Sequence, residues 1–277
     1  MDEPQYRRIA VASTFSPRFE QVLAEAKRVR DRFGSQLHLI YVGEKSAETN
    51  QRFATALAEL ELPGDSTIFY QEGSPAEAIL EAAAAHQMEL IVAGALEKEV
   101  VLRPFLGNVA RRLVREARCS VMLFTKPARE PQPLRCIVFF VPDYSAHAAR
   151  AFQDTLRLAA KEQSEQIYVI RIYTTFDAAR ASLRANSEVP SDQPAALTLE
   201  EEESALLDFI DAAGPTELAI ETRCIRGNTG FAASDFVQSV ASDLLVVPVE
   251  ATPDSDGIPA QIAWVTDAIP CNLWIVR

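Results

Sequence analysis

The sequence predicts two doubly wound α/β domains in tandem, and three observations carry that expectation. Short apolar runs of strand length alternate with segments of helical periodicity along the 277 residues. The alternation starts afresh after a proline-rich stretch near the middle of the chain. Matching segments of the two passes recur at well-defined offsets, and such a long-period repeat is the strongest signal in the chain. Strict alternation implies parallel strands joined by right-handed crossovers, so each pass reads as a Rossmann-like unit with helices on both faces of its sheet.

The first pass opens with residues 8–12 (RIAVA), an apolar run suited to a strand buried on both faces. Ser16 as cap and Pro17 as first helical residue then predict a helix. Phe19, Val22, Leu23, Ala26, Val29 and Phe33 supply its buried stripe, and Gly34 stops it. Residues 37–42 predict a second strand, 47–60 a helix and 67–70 a third strand. Ser74 and Glu77 have the spacing of a capping box ahead of a helix over 76–86. A fourth strand over 90–93, a short helix over 109–116 and a fifth strand over 120–124 complete the unit.

Residues 127–134, polar and rich in proline, read as a linker between domains over 1–126 and 135–277. In the second pass, 137–141 repeats the first strand and 148–158 the first helix. Residues 166–172 match 36–42 at an offset of 130, and 243–247 match 89–93 at an offset of 154. Cys271 and its successors match Cys119 and its successors at an offset of 152. The jump from 130 to 154 places an insertion of about 24 residues near 175–202, expected as an acidic surface loop entering a longer helix.

Composition excludes several function classes. The net charge of −12 disfavours nucleic acid as partner, because phosphate binding needs clustered Lys and Arg. The charge is uneven: residues 1–126 carry 16 basic and 17 acidic side chains, and the remainder 11 and 22. No run approaches the length of a membrane span, and the acidic start lacks the apolar core of a signal peptide, so a cytoplasmic location is expected. Cys119, Cys136, Cys224 and Cys271 are scattered, which argues for reduced thiols, with Cys119 and Cys271 as packing residues. With only His38, His86 and His147 available, no metal site is expected. No Gly-x-Ser-x-Gly elbow is present, so no catalytic residue is assigned.

Three segments in order carry a family resemblance: residues 9–16 (IAVASTFS), 72–81 (EGSPAEAILE) followed by 89–94 (ELIVAG), and Gly94-Ala-Leu-Glu97, nine residues, then Gly107-Asn108. Together they resemble the opening strand, the stretch before the fourth strand and the Gly-x2-Gly-x9-Gly-Ser/Thr nucleotide motif of universal stress proteins. The resemblance implies five-stranded parallel sheets of order 3-2-1-4-5, paired internally through their fifth strands, 121–124 with 273–276. It implies an adenine nucleotide, ATP or AMP, as ligand of the first domain. The positions carried over are Ala12, Thr14 and Val42 for adenosine, and Gly94, Glu97, Gly107, Asn108 and Val109 for the phosphates. The two glycines are expected to let backbone approach the phosphates and to offer free N–H groups at a helix N-terminus.

This chain departs from that motif in ways that weaken it. Thr14 replaces a carboxylate, and Glu97 stands where the motif has glycine. In the second pass Pro248 and Pro259-Ala260 replace the glycines, Glu250, Asp254 and Asp256 add negative charge, and Asp143 reads as a turn residue. The expectation is a non-catalytic, cytosolic, stress-response binding or regulatory protein with a degenerate nucleotide site in the first domain. An ATP-binding switch with a competent site and at most slow hydrolysis is the alternative, and a pure protein-interaction scaffold a third. Candidate partners are the two halves for one another, a second copy of the chain and another protein.

A carboxylate about 4 Å from one phosphate charge costs on the order of 4 kcal/mol at an effective dielectric near 20. Glu97→Gly is therefore expected to tighten ATP binding by up to about a few hundredfold after screening, with a further gain from Thr14→Asp. Calorimetric titration of the two variants checks this, and binding still weaker than millimolar in the double variant would count against an intact pocket.

Overall fold

The computed structural model describes residues 5–13, 15–62, 66–95, 106–185, 197–227, 230–250, 258, 260–266 and 269–277. The first half runs β1 (Arg8–Ser13), α1 (Phe19–Phe33), β2 (Gln36–Val42), α2 (Ala47–Glu59), β3 (Ile68–Gln71), α3 (Pro75–Ala85), β4 (Leu90–Gly94), α4 (Asn108–Glu116) and β5 (Ser120–Phe124). The second runs β6 (Cys136–Phe140), α5 (Ala146–Glu162), β7 (Gln166–Tyr173), α6 (Thr175–Ala185), α7 (Leu199–Asp211), β8 (Ile220–Arg226), α8 (Phe231–Ser239) and β9 (Leu244–Pro248). A 3₁₀ helix (Ala260–Thr266) and β10 (Asn272–Val276) end the chain.

The strands do not form two sheets. They form one ten-stranded sheet of order β3-β2-β1-β4-β5-β10-β9-β6-β7-β8. This corrects the expectation of two separate five-stranded sheets, although each half by itself keeps the parallel order 3-2-1-4-5. The join is the antiparallel pair β5–β10, in which Leu123, Met122 and Val121 lie opposite Leu273, Trp274 and Ile275. The physical reason is edge chemistry. Each fifth strand would otherwise present unpaired N–H and C=O groups on an apolar edge, and pairing the two edges satisfies both at once.

Two apolar layers cover the sheet and cross from one half to the other. One holds α1, α2, α5 and α7 against residues such as Leu39, Met122, Phe139 and Trp274. The other holds α3, α4, α8 and the 3₁₀ helix against Ile40, Leu123, Val138 and Leu273. Trp274 is fully buried and meets Tyr6 and Phe33 of the first half at ring-centroid distances of 6.3 and 5.7 Å. An ionic cluster bridges α1 and α5 on the first face. Arg28 pairs with Glu25 at 2.9 Å and with Glu162 at 3.0 Å, and Arg32 pairs with Glu162 at 2.9 Å. The linker is bound into it: Gln132 O accepts from Arg28, and Leu134 N–H donates to Glu162.

Local signals need adjustment at several points. Helix α1 begins at Phe19 rather than Pro17. Ser16 instead makes the turn before it, its carbonyl accepting from Phe19 N–H at 3.0 Å and its hydroxyl from Arg18 N–H at 3.3 Å. Ser74 occupies the cap position of α3 without a side-chain cap bond, so Pro75 rather than a capping box starts that helix. Gly34 ends α1 with a left-handed φ of 70°. The insertion is not a simple loop, because residues 175–185 form α6. Residues 186–196 of the insertion lie outside the described residues, as do Thr14, Glu97, Asp254, Asp256 and Pro259. Among the described residues no helix is long and apolar enough to cross a membrane.

Leu273 is fully buried in the join, opposite Leu123 and within an apolar layer, so a carboxylate there would be desolvated among apolar side chains. Leu273→Asp is expected to lower the unfolding free energy by at least about 3 kcal/mol and to break the single transition into two. Denaturant melts followed by far-ultraviolet circular dichroism report both effects.

Candidate functional site

Strand order reverses between β1 and β4, because the crossover from β1 leads to β2 on one side and the chain returns from β3 to β4 on the other. In an open α/β sheet a cleft forms beyond the carboxyl ends of the strands at such a point. Here the cleft measures about 400 Å³. Its floor is the end of β1 (Val11, Ala12, Ser13) and of β4 (Ala93, Gly94). Arg18, Phe19 and Val22 of the α1 entry wall one side, Pro75 and Ile79 of α3 and Val109, Ala110 and Leu113 of α4 the other, and Phe124 and Pro127 close the end.

Of the residues expected at the ligand, Ala12, Gly94, Gly107 and Val109 line this cleft. Asn108 is the exposed first residue of α4, and Val42 is half-buried at the end of β2; neither is among the described lining residues. Thr14 and Glu97 lie outside the described residues. Gly94 serves close packing: a Cβ there would come 3.2 Å from Val22 Cγ2. Gly107 differs from expectation. Its φ is −60°, open to any residue, and its N–H is not free but donates to Ala95 O at 3.0 Å. Ala95 N–H in turn donates to Phe124 O at 2.9 Å, so the backbone joining β4 to α4 is tied to β5. The donors that remain at this helix end are the first-turn amides of Asn108, Val109 and Ala110, which have no intrahelical partner.

Sequence reasoning missed Phe19, Ile79, Phe124 and Pro127 as lining residues. The spacing of the first three signals only core and Pro127 reads as linker, and nothing local tells which residues stop short of filling a space. It also missed what surrounds the positions implied for adenosine. Phe15, next to Thr14, and Tyr41, next to Val42, join Phe53 in an aromatic cluster with centroids 4.6 to 5.3 Å apart. The Arg52 guanidinium lies 3.8 Å over the Phe15 ring. The closed end of the cleft is coupled to the ionic cluster between the halves. Arg28 stands 5.7 Å over the Phe124 ring, and Glu25 accepts from Ala128 N–H just beyond Pro127. Burial pushes the Glu25 carboxyl above its ordinary value, an effect that Arg28 partly opposes.

The second half treats the same place differently. Ala12 lies opposite Ile40 and Phe140 opposite Ile170, so Phe140 holds the register position of Ala12. The Phe140 ring meets Trp264 at 5.9 Å, edge to face. Trp264 sits hard against Gly230, where a Cβ would fall 1.9 Å from its Cγ. At the end of β7, in the register place of Tyr41, Arg171 donates to the carbonyls of Val141 at 3.1 Å and Pro142 at 2.8 Å and pairs with Glu202. Tyr144 donates to the same Glu202 at 2.8 Å, and burial followed by that bond raises its hydroxyl pKa. Asp143 accepts from Ser145 N–H at 2.9 Å, the geometry of a turn residue. The cysteines have no activated thiol among them: burial pushes Cys119 up to about 11 and Cys271 up to about 12.

Comparison with known proteins agrees with this fold. Residues 44–125 match the model of the universal stress protein family. A universal stress protein of Methanocaldococcus jannaschii is 41% identical over 59 residues, which are 21% of this chain and 35% of that protein. The matched stretch thus spans about a third of that relative's length. Two solved structures share the fold along nearly the whole chain. A protein of unknown function from Pseudomonas aeruginosa superposes with a TM-score of 0.71 at 15% identity, covering 98% of this chain and 92% of its own. A universal stress protein from Archaeoglobus fulgidus gives 0.67 at 12% identity, covering 99% of each.

The Gly230–Trp264 contact generates a prediction about the second half. Gly230→Ala forces the indole out of place and is expected to cost about 1–3 kcal/mol of stability, as overpacked sites do. Denaturant titration followed by tryptophan emission measures the loss, and an unchanged midpoint would show that the 3₁₀ helix shifts freely.

Proposed function

We propose that this chain is a tandem universal stress protein, with domains over 1–126 and 135–277, that works without catalysis as a cytosolic stress-response regulator. Its ligand site is the cleft between β1 and β4, and the second domain serves through its fold and its acidic surface rather than through a cleft of its own. The observation that supports this most is the contrast between the halves. The switch point of the first is an opening of about 400 Å³, whereas the matching floor position of the second carries the Phe140 ring packed on Trp264. An adenine nucleotide, ATP or AMP, is bound weakly at best in this reading. Gly107 N–H is already engaged, and Arg18 is the one charged side chain among the described lining residues. A polyphosphate would lose its hydration there with only Arg18 and the first-turn amides of Asn108, Val109 and Ala110 as described partners in return.

The second reading is a competent ATP-binding switch, favoured by one feature: Gly107 and Val109 at the start of α4 do face the cleft. Calorimetric titration of the full chain separates the two. We expect ATP and AMP to bind with Kd near or weaker than about 1 mM, roughly −4 kcal/mol. Micromolar ATP affinity would establish the switch instead.

A further inference from the structure

We propose that the cleft between β1 and β4 accepts a flat, apolar aromatic molecule of one or two rings with at most a single charge, in preference to a polyphosphate. This rests on the reading of that cleft as the ligand site of the chain, and it names the chemistry of the ligand.

The walls give the first argument. Phe19, Val22, Ile79, Leu113, Phe124 and Pro127 face the opening. Two hydroxyl residues are among the described lining residues: Ser13 donates to Val11 O at 3.4 Å, and Ser16 accepts from Arg18 N–H at 3.3 Å, which leaves the Ser16 O–H as a single neutral donor. Gly107 N–H is held by Ala95 O. Sites for small organic molecules are lined in this manner, mostly apolar with few polar groups, and range from about 300 to 1,000 Å³, which includes this opening. A multiply charged ligand needs a partner for each charge it desolvates, whereas an aromatic ring needs only apolar walls.

The second argument comes from the other half of the chain, which fills the corresponding place with its own side chains. The Phe140 ring stands where Ala12 stands, buried with 3% exposure, and the Trp264 indole packs on it edge to face. At the offset of 152 the counterpart of Trp264 is Arg112, which turns outward to pair with Glu116 at 2.8 Å. Among the described residues the first half therefore has neither ring at this place, and its opening keeps walls of the same apolar kind. A space that one copy closes with a phenyl and an indole is complementary, in the other copy, to a ligand of like chemistry.

Calorimetric titration of the full chain with 2-naphthol, 2-naphthoate and ATP tests this, with amide shifts in nuclear magnetic resonance spectra locating the site. Both naphthyl probes are expected to bind at one saturable site at least about tenfold more tightly than ATP, a difference of about 1.4 kcal/mol. The amides of Ala12, Gly94 and Val109 are expected to shift. Ala12→Phe, which copies the ring of the second half into the first, is expected to weaken both probes at least tenfold. Should that variant fold poorly, Ile79→Trp fills the same space from α3 and must give the same loss. Naphthyl binding that survives both variants, or that shifts amides elsewhere, would overturn the inference. Tighter binding of ATP than of either probe would overturn it while leaving the cleft as the ligand site. Binding of none of the three would overturn both the inference and the assignment of the cleft.

Discussion

The antiparallel pairing of β5 with β10 is the constraint on which the rest of the molecule depends. Each half is a doubly wound unit whose last strand ends in an apolar run, Val121–Phe124 in one and Leu273–Val276 in the other. An unpaired apolar edge of this kind invites association, and the chain answers by joining its own two edges. Once Leu123 faces Leu273 and Met122 faces Trp274, both apolar layers become continuous across the molecule. The halves then share one core. The burial of Trp274 against Tyr6 and Phe33 belongs to neither half alone.

The ionic cluster at α1 and α5 is a consequence of that join. Glu162 is 3% exposed and Glu25 4%, and buried carboxylates are tolerated only when their lone pairs are met. Arg28, Arg32, Leu134 N–H and Ala128 N–H meet them. Such a network adds little net stability over well-packed apolar residues, but its geometry permits few alternatives. It fixes the path of the linker and the angle between the two helices. Through Arg28 above Phe124 and Glu25 beside the chain after Pro127, it also holds the closed end of the cleft in place.

The two halves show how one topology can carry an opening or close it. Both place their switch point at the carboxyl ends of the central strands, as the winding requires. A small floor residue, Ala12, leaves the space open in the first half. A large one, Phe140, supported by Trp264 on Gly230, occupies its counterpart in the second. The polar side of the second switch point is likewise occupied, by Arg171 bound to the carbonyls of Val141 and Pro142. Fold and site are separable here: the sheet order is common to both halves, and a few side chains decide whether a ligand has room.

The alternation of strands and helices could be read from the sequence, because periodicity and turn chemistry act over a few residues. Gly34 as a helix stop and the apolar fifth strands belong to the same local class. Capping was less legible. Ser16 and Ser74 have the right side chains, yet the backbone turn before Phe19 and the fixed φ of Pro75 decide where those helices start. The motif over residues 94–108 pointed to the end of the sheet where the cleft lies but not to the state of its donors, because the bond from Gly107 N–H to Ala95 O is invisible in residue identity. By itself the sequence determined two α/β passes and the order of their strands and helices. The pairing of 121–124 with 273–276 came only through the family resemblance; the tertiary structure decided that it is antiparallel and makes one ten-stranded sheet, and that one switch point has a small floor residue while the other carries a ring. Those outcomes depend on edges and side chains that meet across more than a hundred residues, and local pattern carries no record of such meetings.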